Sequence, residues 1–379
     1  MRVACLAASR VPSRTANSIQ VMKACQALAE LGHDVHLWLP GPAPAAGLDL
    51  AAHYGLRRAV PVTWRLAAPG LRRHDVHLRA VLAARAWRAD LVYAWPAPAA
   101  AWAAWSGMPT LLELHDRPHG RLGPRWLAAF LRAPGARRLM PTTRALLDWV
   151  ERARGAPLPP GFAVVSPNGV DLERYADLPE PPAARARLGW PEQPTVSYTG
   201  HLYAGRGAAL MLELARRLPE VAFVWAGGEP AAVEAWRARA AQQGVENLRL
   251  LGFVPNADLP LVHAASEALL MPYERRIEVS SGGDTADFAN PMKVYEYLAA
   301  GRAILSSDLP VLREVLDPTC ALLLEPDDVT AWEAALRALL PDHARCQALG
   351  AAARQRAAAH TWLARARRGL AGLEAGGGG

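Results

Sequence analysis

RVACLAASRVPSRTANSIQVMKACQALAELGHDVHLWL, residues 2–39, decides the fold class. Arg2 to Ala7 is a short apolar run that reads as a buried strand. A loop rich in Ser, Arg and Pro follows, from Ala8 to Asn17. Val21, Ala24, Cys25, Leu28 and Leu31 then recur at i, i+3, i+4, i+7 and i+10, which is one apolar face of a helix. Asn17 or Ser18 can cap that helix, and Gly32 stands where a C′ glycine belongs. Val35, Leu37 and Leu39 alternate as a second strand. Strand, helix, strand in this order is the unit of a parallel sheet.

The same rhythm continues outward. Leu91 to Trp95, Thr110 to Leu114, Arg138 to Pro141 and Ala163 to Ser166 read as further strands. Residues 177–193 are rich in Pro, Ala and charge and read as a linker. After it come strands at Thr195 to Thr199, Val221 to Ala226, Leu248 to Leu251, Ala268 to Met271, Ala303 to Ser306 and Ala321 to Leu324. Helices are expected at Ala208 to Leu218 and Pro230 to Gln243. Helical stretches fill the chain from Val329 to about Leu373, with a bend at His360-Thr361-Trp362. The expectation is α/β: two Rossmann-like doubly wound domains facing a cleft, residues 1–176 and 190–357, with a helix at about 358–374 crossing back to the first. Residues 375–379 read as a disordered tail. In such sheets ligands bind at the carboxyl ends of the strands.

A chain of 379 residues, half of them hydrophobic, suits two domains. No apolar stretch reaches the roughly eighteen residues of a membrane span. The apolar run at the start is too short for a signal peptide core. Cys5, Cys25, Cys320 and Cys346 form no metal or disulfide pattern, which points to a reduced, cytoplasmic setting. Residues 1–175 hold 22 Lys and Arg against 11 Asp and Glu, so the basic excess lies in the first half. An anionic lipid surface is one partner for such charge, and an Arg-rich solvated surface is the plain alternative. No recognition motif accompanies it, so nucleic acid is not expected.

Three segments have the residue types for chemistry. Asn290 can cap, and Pro291 can open, a helix that carries Lys293 and Glu296. Its free amides and dipole suit an anion such as a diphosphate, and Glu296 can accept the two hydroxyls of a ribose. An ordinary capped surface helix fits the same pattern. Tyr198 to Gly207 follows a strand, opens a helix and holds three glycines, and Arg206 can grip a diphosphate with two donors. A plain tight turn explains the glycines equally. Glu113-Leu114-His115-Asp116 ends a strand, where a side chain enters a ligand site or closes the sheet.

Taken in order, these segments resemble the retaining GT-B glycosyltransferases of the family 4 type, along nearly the whole chain. Residues 16–22 and 31–35 are similar to that family's first loop, helix and second strand. Glu113 to Asp116 resembles its E-x-H-D strand end, Val165 to Asp171 its PNGVD segment, and Tyr198 to Gly207 its glycine loop. Gly252 to Pro255, Met271 to Tyr273 and Pro291 to Gly301, running into Ser306 to Pro310 and Glu314, complete the match. The resemblance implies transfer of a hexose from a UDP- or GDP-sugar with retention of configuration. The acceptor is a saccharide, a lipid-linked molecule or a small molecule. Peripheral contact with the inner membrane face is a further expectation. His115 would meet the transferred sugar, Gly200, His201, Arg206 and Lys293 the diphosphate, backbone groups at Val254 and Pro255 the base, and Glu296 the ribose. Ser13, Asn17 and Ser18 would face the acceptor.

Two departures stand out. The family often has a second glutamate eight positions before Glu296, and Phe288 stands there. Asp284, Asp287, or the amides of Phe288 and Ala289 are the candidates for its task on the sugar hydroxyls. His201 replaces a common Arg, so the phosphate clamp leans on Arg206 and Lys293 unless His201 is protonated. No Asp-x-Asp motif is present, so neither a metal nor a cofactor is expected, and UDP or GDP is the product. Phe288 leaves open a catalytically inactive scaffold that only binds sugar or nucleotide. An NAD-linked dehydrogenase is disfavoured by the absent G-x-G-x-x-G.

Overall fold

The computed structural model describes residues 1–45, 47–71, 73–277 and 286–373. Asp284 and the glycine tail lie outside them. The chain divides into two units: Met1–Asn168 with Trp362–Gly379, and Gly169–Thr361.

The first unit holds six parallel strands: β1 (Arg2–Leu6), β2 (Asp34–Pro40), β3 (Val62–Arg65), β4 (Leu91–Ala94), β5 (Thr110–Leu114) and β6 (Arg137–Pro141). Their order is β3-β2-β1-β4-β5-β6. Cys5 sits opposite Leu37 on one side and Tyr93 on the other, so β1 is buried at the centre. The helix Ala16–Glu30 is buried along most of its length. It packs on the sheet and against the last helix, Trp362–Leu370. Gly369 allows that last helix to come close, since a Cβ there would lie 2.8 Å from Met140 Sδ. Gly32 has φ +87°, as a C′ glycine requires.

The second unit repeats the plan with β7 (Thr195–Thr199), β8 (Ala222–Ala226), β9 (Leu248–Gly252), β10 (Ala268–Met271), β11 (Ala303–Ser307) and β12 (Leu322–Leu324). Their order, β12-β11-β10-β7-β8-β9, is that of the first sheet read from the other edge. The connection reverses direction between β7 and β10, so their carboxyl ends flank the switch point. Trp225, Tyr198, Tyr273, Tyr295, Tyr297 and Trp332 are among the side chains that fill the core of this unit.

Four expectations change in detail. The helix Ala16–Glu30 starts after Thr15, ahead of the expected Asn17 or Ser18 cap, and no side chain caps it. Ala163 to Ser166 makes only an isolated bridge to Leu139: Val164 and Ser166 donate to the Leu139 and Pro141 carbonyls at 3.0 and 2.9 Å, but Pro141 has no N–H to complete the ladder between them. β3 and the helix His74–Ala86 occupy the stretch 57–88, which read only as a basic surface. Residues 177–193 include the helix Pro181–Leu188, held into the second unit by Arg185, which pairs with Glu267 at 2.7 Å and Glu192 at 2.6 Å. Among the described residues no helix is long and apolar enough to cross a membrane.

Candidate active site

In the second unit β7 delivers the chain into Gly200, whose N–H donates to the Ala226 carbonyl at 2.8 Å. Gly200 has φ +147°, and a Cβ there would fall 2.2 Å from Lys293 Nζ. Glycine at this position therefore lets an ammonium come beside bare backbone. Gly207, with φ +82°, opens the following helix against Pro272, whose carbonyl oxygen a Cβ would meet at 2.0 Å. The loop is thus locked onto the end of β10.

Two cations converge on these strand ends. Lys293 Nζ lies 3.6 Å from the centre of the Tyr198 ring, and the Arg206 guanidinium lies 4.6 Å from that of Tyr273. Both tyrosines are fully buried. Burial and then the charge of Arg206 hold Lys293 well below the ordinary lysine range, against the opposing pull of Glu296. Two like charges side by side in a partly dry place favour an anion between or over them.

His201 is not a third cation at neutral pH. Burial lowers it from the ordinary histidine value, Lys293 and Arg206 lower it further, and Glu229 only partly opposes them. Its ring stacks on Tyr203 at 4.8 Å. Arg206 and Lys293 are the basic groups left to meet an anion here.

The helix that carries Lys293 runs Met292–Ala300. Pro291 occupies the cap position instead of the first helical one, and Asn290 does not cap. Its Nδ2 donates to Tyr295 Oη at 2.7 Å, because Pro291 in extended backbone leaves Asn290 one residue too far upstream. Glu296 lies one turn after Lys293 and accepts from Asn256 Nδ2 at 3.3 Å. Asn256 follows Val254 and Pro255, so the segment expected at the base is tied to the residue expected at the ribose. Its backbone oxygen in turn accepts from Arg174. Asn256 was not singled out in the sequence, where one Asn after a proline carries no signal.

Phe288 is buried in place of the second glutamate, which leaves only its backbone groups for polar contact. Asp287 is exposed and Ala289 partly so.

In the first unit His115 follows β5 and bonds through Nε2 to the buried carboxylate of Glu113. Gln20, Tyr93 and Arg365 surround the same carboxylate. Near the carboxyl end of β1, Asn17 is exposed and accepts from the Ser9 hydroxyl, and Ser13 N–H donates to Tyr54 Oη at 2.8 Å. Ser18 is fully buried, its hydroxyl 2.9 Å from the carbonyls of both Ser13 and Thr15. It fixes the loop and does not reach the surface.

Residues 18–174 match the family model described as Glycosyltransferase Family 4, and residues 193–342 the one described as Glycosyl transferases group 1. A GDP-mannose-dependent alpha-(1-6)-phosphatidylinositol monomannoside mannosyltransferase of Mycolicibacterium smegmatis is 31% identical over 196 residues, 50% of this chain and 50% of that protein. A D-inositol 3-phosphate glycosyltransferase of Xylanimonas cellulosilytica is 29% identical over 237 residues, 59% of this chain and 53% of that one. The chain thus spans about half the length of the curated relatives it matches. Among solved structures, Anabaena HepE in complex with UDP superposes with a TM-score of 0.77 at 17% identity, over 99% of this chain and 100% of that one. WaaG, a glycosyltransferase involved in lipopolysaccharide biosynthesis, does so at 0.64 and 17% identity, over 100% of both chains. Those likenesses show the GT-B fold, and with a family model on each unit the chain belongs to the GT-B glycosyltransferases of the family 4 type.

Proposed function

We propose that the protein transfers a hexose from a UDP- or GDP-sugar to a saccharide, lipid-linked or small-molecule acceptor, with retention of configuration. The bond from the anomeric carbon to the diphosphate breaks, a bond to the acceptor oxygen forms, and the leaving phosphate takes the acceptor's proton. The observation that carries this reading is the pairing of Arg206 and Lys293 at the carboxyl ends of β7 and β10. Charge developing on a departing diphosphate is stabilised by fixed cations and helix amides in such a place. No metal or cofactor is assigned a part. Glu296 holds the ribose, backbone at Val254 and Pro255 the base, and backbone around Phe288 and Ala289 the sugar hydroxyls. The first unit reads the acceptor near Ser13 and Asn17, and His115 contacts the transferred sugar. The dependence of one curated relative on GDP-mannose and the UDP bound to HepE support a nucleoside diphosphate donor without choosing the base.

The buried Phe288 favours one competing reading, an inactive scaffold that binds nucleotide without turnover. A nucleotide-release assay over UDP- and GDP-sugars separates the two. Release is expected from the wild type, unchanged by a chelator. Glu296→Ala should weaken donor binding by about tenfold or more, the size of one charged hydrogen-bonding partner lost. Binding without release favours the scaffold, and near-normal turnover of Glu296→Ala removes the ribose assignment.

A further inference from the structure

Glu113 stands at the next-to-last position of β5 with its carboxylate fully out of water. Oε1 accepts from Gln20 Nε2 at 2.5 Å and from His115 Nε2, and lies 2.6 Å from Arg365 Nη2. Oε2 accepts from the Tyr93 hydroxyl. A second layer fixes these donors. Trp95 Nε1 donates to Gln20 Oε1 at 3.1 Å, which turns the Gln20 amide N–H towards Glu113. Arg365, itself fully buried, donates through Nη1 to Tyr93 Oη and through Nε to the Pro167 carbonyl, each at 2.9 Å.

The titratable groups described around Glu113 are Cys5 on β1, Tyr93 on β4, His115 beyond β5 and Arg365 on the last helix. Burial pushes Cys5 and Tyr93 well up, so both stay neutral. Burial alone would push Glu113 up too, but Arg365, then His115 and Tyr93, bring it down to about 2. A carboxylate only accepts, so His115 must carry a proton on Nε2. The neutral imidazole then has its lone pair on Nδ1.

We infer that Arg365 is a positioning residue for His115: by keeping Glu113 ionised it fixes the Nε2–H tautomer, so that Nδ1 meets a hydroxyl of the transferred sugar as an acceptor. This rests on the proposed contact between His115 and the sugar. Gln20 and Tyr93 complete the device, since each fills a lone pair that would otherwise compete for the imidazole proton. Without the cation, a buried Glu113 takes up a proton. Its O–H then donates to Nε2, the ring proton moves to Nδ1, and the acceptor becomes a donor.

The first test is long-range proton–nitrogen NMR of the wild-type protein, with His115 assigned by a His115→Asn variant. The neutral ring should show a protonated Nε2 and a bare Nδ1. A bare Nε2 overturns the inference, and this readout does not depend on transfer activity. The second test compares Arg365→Met with Arg365→Lys. The Met variant should lose about tenfold in kcat/KM at neutral pH, the worth of one hydrogen bond, with the acid limb of its pH profile moved upward. Its nucleoside diphosphate affinity should stay unchanged, and Lys should restore both rate and profile. A folded Met variant with the wild-type tautomer and pH profile contradicts the assignment. If the Met variant fails to fold, the tautomer in the wild type and in Arg365→Lys still decides it. Absent transfer activity together with the expected tautomer would count against the proposed function and leave the Glu113 device standing.

Discussion

Lys293 is costly where it stands. Burial and Arg206 both act against its charge, so the folded protein holds its proton less tightly than an open chain does. The folded value lies below the unfolded one. The residue therefore works against folding at neutral pH, and that cost fades as pH rises towards the ordinary lysine range. A bound diphosphate reverses the balance, because it favours the ammonium and raises the value again. Binding should then draw protons from solution at pH values between the lowered free value and the higher bound one. Affinity should fall as pH rises through that window. Calorimetry of UDP and GDP binding in two buffers of different ionisation enthalpy reads this uptake directly. The wild type should show it. Lys293→Met should lose it, together with about ten- to a hundredfold in affinity, the worth of a charge-assisted hydrogen bond. Buffer-independent heats in the wild type would remove Lys293 from the diphosphate site.

The helix His74–Ala86 carries the clearest unexplained surface among the elements. Its exposed side presents Leu78 and Leu82, 44% and 57% exposed, one turn apart. Arg85 flanks them together with Arg79, which pairs with Asp75 of the same helix, and Leu66 and Leu71 are exposed just before it. Apolar side chains within a basic field suit an anionic bilayer surface, where both terms add. Flotation with vesicles rich in anionic lipid should show binding at low salt that weakens as salt rises. Leu78→Ser with Leu82→Ser should reduce it by about tenfold or more. No binding at low salt would remove the membrane expectation.

This helix and β3 also mark where sequence reading stopped. Arg79 and Arg85 among the apolar positions hid the helix, and β3 is only four residues long. Elsewhere the β-α rhythm was legible, because strands such as Thr195–Thr199 and Ala268–Met271 are short apolar runs bounded by turns. Arg206, Lys293 and Glu296 stood out because glycine and helix-start signals surround them. Gln20, Tyr93 and Arg365 did not, since the chain brings them to Glu113 from three separate elements. Nothing local marks a helix glutamine, a strand tyrosine or a terminal-helix arginine as partners.

At the scale of the molecule, one plan is used twice and loaded differently. Both units have the same strand order, each with a switch point at its centre. In the second unit the switch point carries the glycine loop, Arg206 and Lys293. In the first it carries the Ser and Asn loop beside β1, in a half of the chain with twice as many Lys and Arg as Asp and Glu. The division fits a donor half and an acceptor half. If the second unit binds a nucleoside diphosphate sugar, thermal shift against a panel of nucleotides and nucleotide sugars will register it without any acceptor present. A ligand at about a hundred times its Kd adds roughly 2.7 kcal/mol to the folded state. The midpoint should rise by several degrees with UDP- or GDP-linked sugars, stay put with NAD, and rise much less for Glu296→Ala. A flat response to every nucleotide sugar, or a rise with NAD alone, would contradict it.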